Sequence, residues 1–293
     1  MTRHDAPVSG GAKVPGADFS VREFARSANG SHRAALRLDA YADSPLDSDT
    51  LAEVALLSRL ERSALRYLRS VLVTPTHSDA RMTAFLVTWA YEKYWLADAL
   101  ELVVAAHPDQ PSSPGGESPG ARLRLAWHAV GERFEPIRES VVTNLIGDDV
   151  IAVHCVTGAL DEWLTQAAYQ RLAETTGHEQ LRDTLAGLLA VKRRHSAFFT
   201  TQARDRLTGS PRAQSLARRR LRRTAVPLGS QDEPARLLSR LLGGWITSAD
   251  LAAIDRRLDG YPGLAGLRLV ARTAERATRR AGRAPAVTGE PTR

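Results

Sequence analysis

Residues 191–199 read VKRRHSAFF and place a lysine three residues before a histidine, on one face of a predicted helix. The chain has 40 Lys and Arg residues, but only three of them are lysines: Lys13, Lys93 and Lys192. The other surface cations are almost all arginines, so Lys192 calls for its own explanation. That explanation depends on what the other helices place opposite it.

Helical periodicity dominates the rest of the chain, and no stretch has the alternation of a β-strand, which predicts an all-α fold. The four long helical patterns lie at 50–73, 79–106, 148–175 and 178–207. Shorter helices are predicted at 121–134, 234–243, 248–258 and 263–281. Asp49 or Thr50 is the predicted N-cap of the first long helix, with Glu53 as its capping-box partner. Two helical hairpins with a long connection between them indicate a four-helix bundle with one crossover.

Composition divides the chain into four parts. Residues 1–45 are rich in Gly, Ser, Asp and Pro and are predicted to be a mostly disordered arm. Residues 46–210 form the bundle, residues 211–281 form an Arg-rich linker and helices that pack on it, and residues 282–293 form a disordered tail.

The chain is 43% hydrophobic and 25% charged, as expected of a soluble globular protein. No uncharged run of 18 apolar residues indicates a membrane span, and the first residues lack the apolar core of a signal peptide. The single Cys155 excludes an internal disulfide and a multi-cysteine metal site. These features predict a cytoplasmic protein.

The positive charge is concentrated in residues 204–223, which contain eight Arg and one Asp. Their excess of +7 equals the net charge of the whole chain. The segment is either a surface for an acidic partner or for nucleic acid, or simply a solvated Arg-rich helix.

Each long helix carries an apolar stripe at spacings of three and four, and each stripe is interrupted near its middle by charged residues. The interrupting residues are Glu61, Lys93, Glu162, and Lys192 with His195. Glu61 and Lys93 are 32 residues apart, and Glu162 and Lys192 are 30 apart. The same hairpin pattern is therefore used twice.

The stretches WAYEKYWLADAL (89–100), GALDEWLTQAAYQRLAETTGH (158–178) and VKRRHSAFF resemble the ferritin-like superfamily of di-iron carboxylate proteins, nearest to the soluble acyl-carrier-protein desaturases. The resemblance covers about residues 50–210. In that superfamily two helices each give one Glu and two each give Glu-x-x-His. The resemblance implies a ferritin-like four-helix bundle followed by further C-terminal helices.

The resemblance assigns a ligand position to each interrupting residue. Glu61 and Glu162 stand where the single glutamates belong, and His195 stands where the fourth-helix His belongs. Lys93 and Lys192 replace the two remaining glutamates, and Leu96 replaces the other His. Reading the motif from Glu92 instead does not restore it, because the residue three positions later is Trp95.

A lysine ammonium has no free lone pair and repels a divalent cation, so the sequence predicts no metal and no cofactor. Two glutamates facing two lysines sum to zero charge, which predicts a buried ion network at the former metal site. Loss of one member is expected to cost about 3–5 kcal/mol, whereas apolar replacement of all four is expected to be neutral or stabilising. In the alternative, Lys93 and Lys192 lie at the edge and extend to solvent.

Four functions remain open at this point. The first is a non-redox binding or accessory protein for an acidic acyl carrier protein or a hydrophobic small molecule. The second is a metal-independent acid–base or Lys-dependent enzyme, an isomerase, cyclase or lyase of lipid or specialised-metabolite biosynthesis, with His195 as a proton shuttle or only a hydrogen-bonded core residue. The third is a residual metalloenzyme of the desaturase or oxygenase type, with one metal on Glu61, Glu162 and His195. The fourth, ranked last, is nucleic-acid binding through the Arg-rich segment. Whether the chain forms a homodimer is also open.

Overall fold

A computed structural model describes residues 20–107, 147–223 and 225–281 of the chain. Within these ranges the regular structure is entirely helical, which confirms the all-α prediction. The helices are α1 (Val21–Arg26), α2 (Asp39–Asp43), α3 (Ser48–Arg62), α4 (Ala64–Leu72), α5 (Ala80–Ala105), α6 (Asp149–Thr175), α7 (Glu179–Gly209), α8 (Pro211–Arg223), α9 (Ala235–Arg240), α10 (Ser248–Asp259) and α11 (Leu269–Ala281). A π-helical turn, Leu241–Trp245, follows α9.

The four long helical patterns of the sequence correspond to α3 with α4, α5, α6 and α7. The predicted N-cap of the first is wrong: α3 begins two residues earlier, where the carboxylate of Asp47 accepts the backbone N–H groups of Asp49 and Thr50. Asp47 is an equally good capping residue and lies two positions after Pro45, so the local sequence also allows the helix to start slightly upstream. The predicted helix at 121–134 lies outside the described residues.

The predicted disordered arm is wrong for residues 20–45. This segment contains α1 and α2, and each helix buries an aromatic ring in the core: Phe24 is 5% exposed and Tyr41 is fully buried. Tyr41 stacks on His178 with ring centroids 4.6 Å apart. Two aromatic anchors outweigh the polar composition around them, because each buries a large apolar area.

The long helices pack as two antiparallel pairs, α3 with α5 and α6 with α7. The α6–α7 pair is especially close at Gly158, where a Cβ atom would lie 2.5 Å from the ring of Phe199. Phe199 in turn meets Trp89 and Phe85 of α5 edge to face, so this ring joins the two pairs. A ferritin-like bundle with one crossover stays a prediction.

The Arg-rich segment expected as a linker is a helix from Pro211 onward. Ala213, Ala217 and Leu221 bury one face of α8, and α8 and α10 both pack against α6. The tail at 282–293 lies outside the described residues. None of the described helices combines the length and apolar composition that a membrane crossing requires.

Candidate functional site

Helices α3, α5, α6 and α7 each point a charged side chain at one position in the core. The five residues predicted for the site all meet there, and each is at most 1% exposed. They are Glu61, Lys93, Glu162, Lys192 and His195. The alternative in which the lysines extend to solvent is wrong, because the neighbouring carboxylates hold both ammonium groups inside.

The two ammonium groups lie between the same two glutamates. Lys192 Nζ is 2.6 Å from Glu61 Oε1 and 3.0 Å from Glu162 Oε2. Lys93 Nζ contacts the other oxygen of each, Glu61 Oε2 and, at 3.6 Å, Glu162 Oε1. Each carboxylate therefore bridges two cations, and each cation bridges two carboxylates.

A third carboxylate, Asp161, joins the network beside Lys93. Its Oδ2 lies 3.1 Å from Lys93 Nζ, and its Oδ1 accepts the backbone N–H of Leu228 at 2.8 Å. Leu228 belongs to the segment between α8 and α9, so this bond ties the C-terminal part of the chain to the network.

A fourth carboxylate, Glu92, lies on the other side of His195. His195 Nε2 donates to Glu92 Oε2 at 2.8 Å, and its Nδ1 lies 3.2 Å from Glu162 Oε1. The second oxygen of Glu92 accepts from the backbone and side chain of Asn29 and lies 3.5 Å from Arg194. Because Arg194 is partly exposed, a continuous series of polar contacts runs from the surface through Glu92 and His195 to Glu162.

Neutral side chains complete the surroundings. Trp89 Nε1 donates to Glu162 Oε1 at 2.8 Å, and Gln166 donates to the backbone oxygen of Lys192 at 3.0 Å. The rings of Trp89 and Tyr169 each have a lysine Nζ 5.4 Å from the centroid, near Lys93 and Lys192 respectively. Aromatic faces thus shield both ammonium groups from the apolar core.

Burial disfavours the ionised form of each group, and the neighbouring opposite charges favour it. Burial alone would raise the pKa of Glu61 and Glu162, but Lys192 and then Lys93 lower both, and the pKa of Glu162 falls well below its ordinary value. Burial alone would lower the pKa of Lys93, but Asp161, Glu162 and Glu61 raise it well above 10.5. These pKa directions keep Glu61, Glu162 and Lys93 ionised at neutral pH.

Two further groups set the balance of charge. Burial would lower the pKa of His195, but Glu162 and Glu92 overcome this and raise it, which favours the imidazolium. With His195 charged, three cations face the carboxylates of Glu61, Glu92 and Glu162. The remaining carboxyl is Asp161, whose pKa burial raises against the opposing effect of Lys93.

The site does not fit the metal centres that the resemblance and the third hypothesis suggest. The two Nζ atoms occupy the space between Glu61 and Glu162, and both nitrogens of His195 are directed at carboxylates. Across residues 20–107, 147–223 and 225–281, no group of three or more His, Cys, Asp or Glu side chains is arranged to hold a metal ion.

Sequence reasoning missed Glu92 and Asp161 as members of the network. Glu92 directly precedes Lys93, and Asp161 directly precedes Glu162. The spacing of three and four residues that defines a helical stripe selects one residue per turn, so it excluded their neighbours. A signal was present: α5 and α6 are apolar nearly all round, so an acid beside Lys93 or Glu162 had to be buried and paired.

Comparison of the chain with protein-family models, with curated proteins and with solved structures finds no match.

Proposed function

We propose that this chain is a non-redox binding or accessory protein of ferritin-like architecture, in which two lysine ammonium groups take the places of two metal ions. One observation carries the proposal: both ammonium groups lie between the carboxylates of Glu61 and Glu162, each carboxylate giving one oxygen to each cation. Two cations bridged by two carboxylates is the charge arrangement of a di-metal carboxylate centre.

The proposal explains why lysine appears at these positions. The four carboxyl groups of this core need nearby positive charge, and ammonium groups supply it without an ion from solution. Lys93 and Lys192 are two of only three lysines in the chain, and both are buried here. Arginine would not fit as well, because its planar fork is larger than a compact ammonium group.

The same contacts argue against a lysine-dependent enzyme. A lysine nucleophile or base needs a free amine, hence a lowered pKa, whereas that of Lys93 is raised well above its ordinary value. The network side chains are also shielded from solvent, and both nitrogens of His195 are engaged. These observations favour a scaffold over a reacting centre.

The bound partner we propose is an acyl group, free or linked to an acidic carrier protein. Helix α8 supports an acidic partner, because Arg219, Arg222 and Arg223 are exposed and form no ion pair with any described residue. A labelled acyl carrier protein should bind the full chain in fluorescence anisotropy and lose affinity on substitution of these three arginines by Glu. Equal binding by both proteins would remove the carrier protein from the proposal.

Metal analysis tests the central claim. The wild-type protein, purified from cells supplied with iron and manganese, should contain far less than one equivalent of either metal. The triple variant Lys93→Glu, Lys192→Glu and Leu96→His should gain metal, because it provides two more carboxylates and an imidazole one turn away. Near-stoichiometric metal at the network of the wild-type protein would overturn the proposal.

A matched control separates a restored site from extra negative charge. The control variant keeps both Lys→Glu changes but carries Leu100→His instead of Leu96→His; both leucines are fully buried on α5, one turn apart. Only the Leu96→His form should bind metal tightly. If both forms fold, as judged by circular dichroism, and neither gains metal, the placement of a former metal site here is wrong.

A further inference from the structure

A groove with a volume of about 730 Å³ lies between the π-helical turn, α10 and α11. Its floor is apolar and buried: Leu242, Ile246, Leu251 and Ala274 are each at most 7% exposed. Cavities of this size with an apolar lining are typical sites for small molecules. None of the described residues that line it belongs to the ion network or to α8, so the groove is separate from both.

The backbone of the π-helical turn forms one wall of the groove. Single π-helical turns are rare in proteins and frequently occur at functional sites. At Gly243 a Cβ atom would lie 2.8 Å from Thr278 Oγ1, so the turn packs closely on α11 there. At Gly244 a Cβ atom would meet nothing within 4 Å. The turn therefore approaches α11 at one glycine and leaves the groove open at the next.

Arg268, just before α11, is held in an unfavourable backbone conformation beside the groove. Its φ is 47°, and it is the one non-glycine residue with positive φ in the described parts of the chain. The same loop has Gly263 and Gly266 at its other positive-φ positions, where glycine meets no steric penalty. Because Arg268 lines the groove, a requirement for its side chain explains why this position is not a glycine as well.

The charged residues that line the groove are two arginines and one glutamate, which leaves a net charge of +1. Glu275 Oε1 lies 3.9 Å from Arg268 Nη2, which is too long for a hydrogen bond, and Glu275 Oε2 lies 3.4 Å from Arg279 Nη2. All three side chains are more than half exposed, and ion pairs of this kind are weak in water. An anion whose apolar body is also bound can therefore compete with Glu275 for Arg268.

We propose that this groove binds an apolar small molecule that carries a single negative charge. The apolar body of the ligand lies on Leu242, Ile246 and Leu251, and its anionic group pairs with Arg268. The net charge of +1 favours an anion over a cation, and the apolar floor disfavours a ligand that is polar throughout. The proposal rests on the groove alone, so its failure would leave the proposed function standing.

Isothermal titration calorimetry of the full chain with decanoate tests the charge preference. Decanoate should bind as one molecule per chain, and decylammonium, which has the same alkyl chain and the opposite charge, should bind about tenfold more weakly. Arg268→Gly should weaken decanoate binding about tenfold, because it removes a charge-assisted contact. Its thermal unfolding midpoint should not fall, because glycine adopts positive φ freely. Equal binding of the two ligands, or equal affinity of wild type and Arg268→Gly for decanoate, would overturn the proposal.

Further variants test the location of the site. Ala252→Trp places a large side chain at an exposed position that lines the groove on α10, and it should abolish decanoate binding. Ala186→Trp on α7 and Arg276→Ala on α11, both at exposed positions outside the groove, should leave the affinity unchanged. Retained binding in the Ala252→Trp protein would place the ligand elsewhere and contradict the proposal. A wild-type protein that binds no decanoate at millimolar concentration, whether residues 282–293 or a second copy fill the groove, would also overturn it.

Discussion

The α3–α5 pair and the α6–α7 pair bring the same two side chains to the network, a glutamate and a lysine, but in different surroundings. Within each pair the lysine contacts its own glutamate, and it also crosses to the glutamate of the other pair. The near-equal sequence spacings of 32 and 30 residues thus become a near-symmetric arrangement in space.

The symmetry is broken by what lies next to each lysine. Lys93 contacts a third carboxylate, Asp161, whereas Lys192 lies near the ring of Tyr169. The α6–α7 half also supplies His195, which draws in Glu92 from α5. A repeated pattern in the sequence therefore fixes the central four residues, while the neighbours of each make the halves unequal.

The largest expected effect comes from removing one lysine. Lys93→Met should lower the free energy of unfolding by about 3–5 kcal/mol, because it leaves buried carboxylates without their cation. Lys192→Met should cost less, since Lys192 contacts two carboxylates and Lys93 contacts three. Urea unfolding at pH 7 measures both.

The control for these variants is Leu96→Met, a volume-conserving change at a fully buried site on α5 that should cost less than about 1.5 kcal/mol. Equal costs for the two lysine variants would show that the contact between Lys93 and Asp161 does not contribute to the free energy of unfolding.

A pH series tests the contribution of His195. Its pKa is raised from the ordinary 6.5, so its stabilisation is complete below pH 6.5 and is lost as pH rises through the folded pKa. His195→Gln should therefore cost about 1.5–3 kcal/mol at pH 6 and progressively less at higher pH. Glu92→Gln should move the decline to lower pH, because it removes one of the two carboxylates that raise this pKa.

The quantity to compare is the difference between wild type and variant at each pH. Burial raises the pKa of Glu53 to about 8 and lowers that of His154 to about 3, so other groups also give the wild-type curve a slope. Taking the difference removes their effect. A constant difference from pH 6 to pH 9 would show that His195 is neutral in the folded protein.

Two glycines test how closely the α6–α7 pair is packed. Gly158→Ala should destabilise by about 1–3 kcal/mol, because its Cβ would lie 2.5 Å from a ring carbon of Phe199, which also contacts α5. Gly187→Ala, on α7 with no atom near its Cβ, should stabilise by about 0.5–1 kcal/mol. Thermal unfolding of both variants measures the contrast, and the same sign for both would contradict close contact at Gly158.

The smallest expected effect concerns how the two halves begin. The Asp47 carboxylate caps α3 with two hydrogen bonds, whereas Asp148 before α6 makes no side-chain capping bond. Asp47→Ala should cost about 1 kcal/mol and Asp148→Ala only about 0.3 kcal/mol, the part due to the helix dipole. A larger cost at Asp148 than at Asp47, measured by urea unfolding, would reverse this ranking.

The sequence predicted the helices and the five central residues because both follow from local periodicity. Residues such as Glu61 and Lys192 interrupt apolar stripes, and burial of a stripe brings its interruption inside. The burial of both lysines also followed from their rarity in an arginine-rich chain.

Other features depend on distant contacts that periodicity does not contain. Asp161 is buried only because Lys93 and the backbone of Leu228 satisfy it, and these lie 68 and 67 residues away. Phe24 and Tyr41 order a segment whose composition indicates disorder. The expectation that four apolar substitutions would be neutral also changes, because they would remove the ammonium group beside Asp161 and one of the two carboxylates that contact His195.

The bond between Leu228 and Asp161 bears on how the protein is made. A nascent chain emerges from the ribosome N-terminus first, so α3 to α7 become available to fold before residue 228 does. Until then Asp161 Oδ1 lacks its donor within an apolar interior, and an early intermediate retains an unsatisfied acid at its centre. A chain that stops at residue 223 should therefore stay bound to chaperones for longer than the full chain. The bundle core is completed only when the segment after residue 223 has been synthesised.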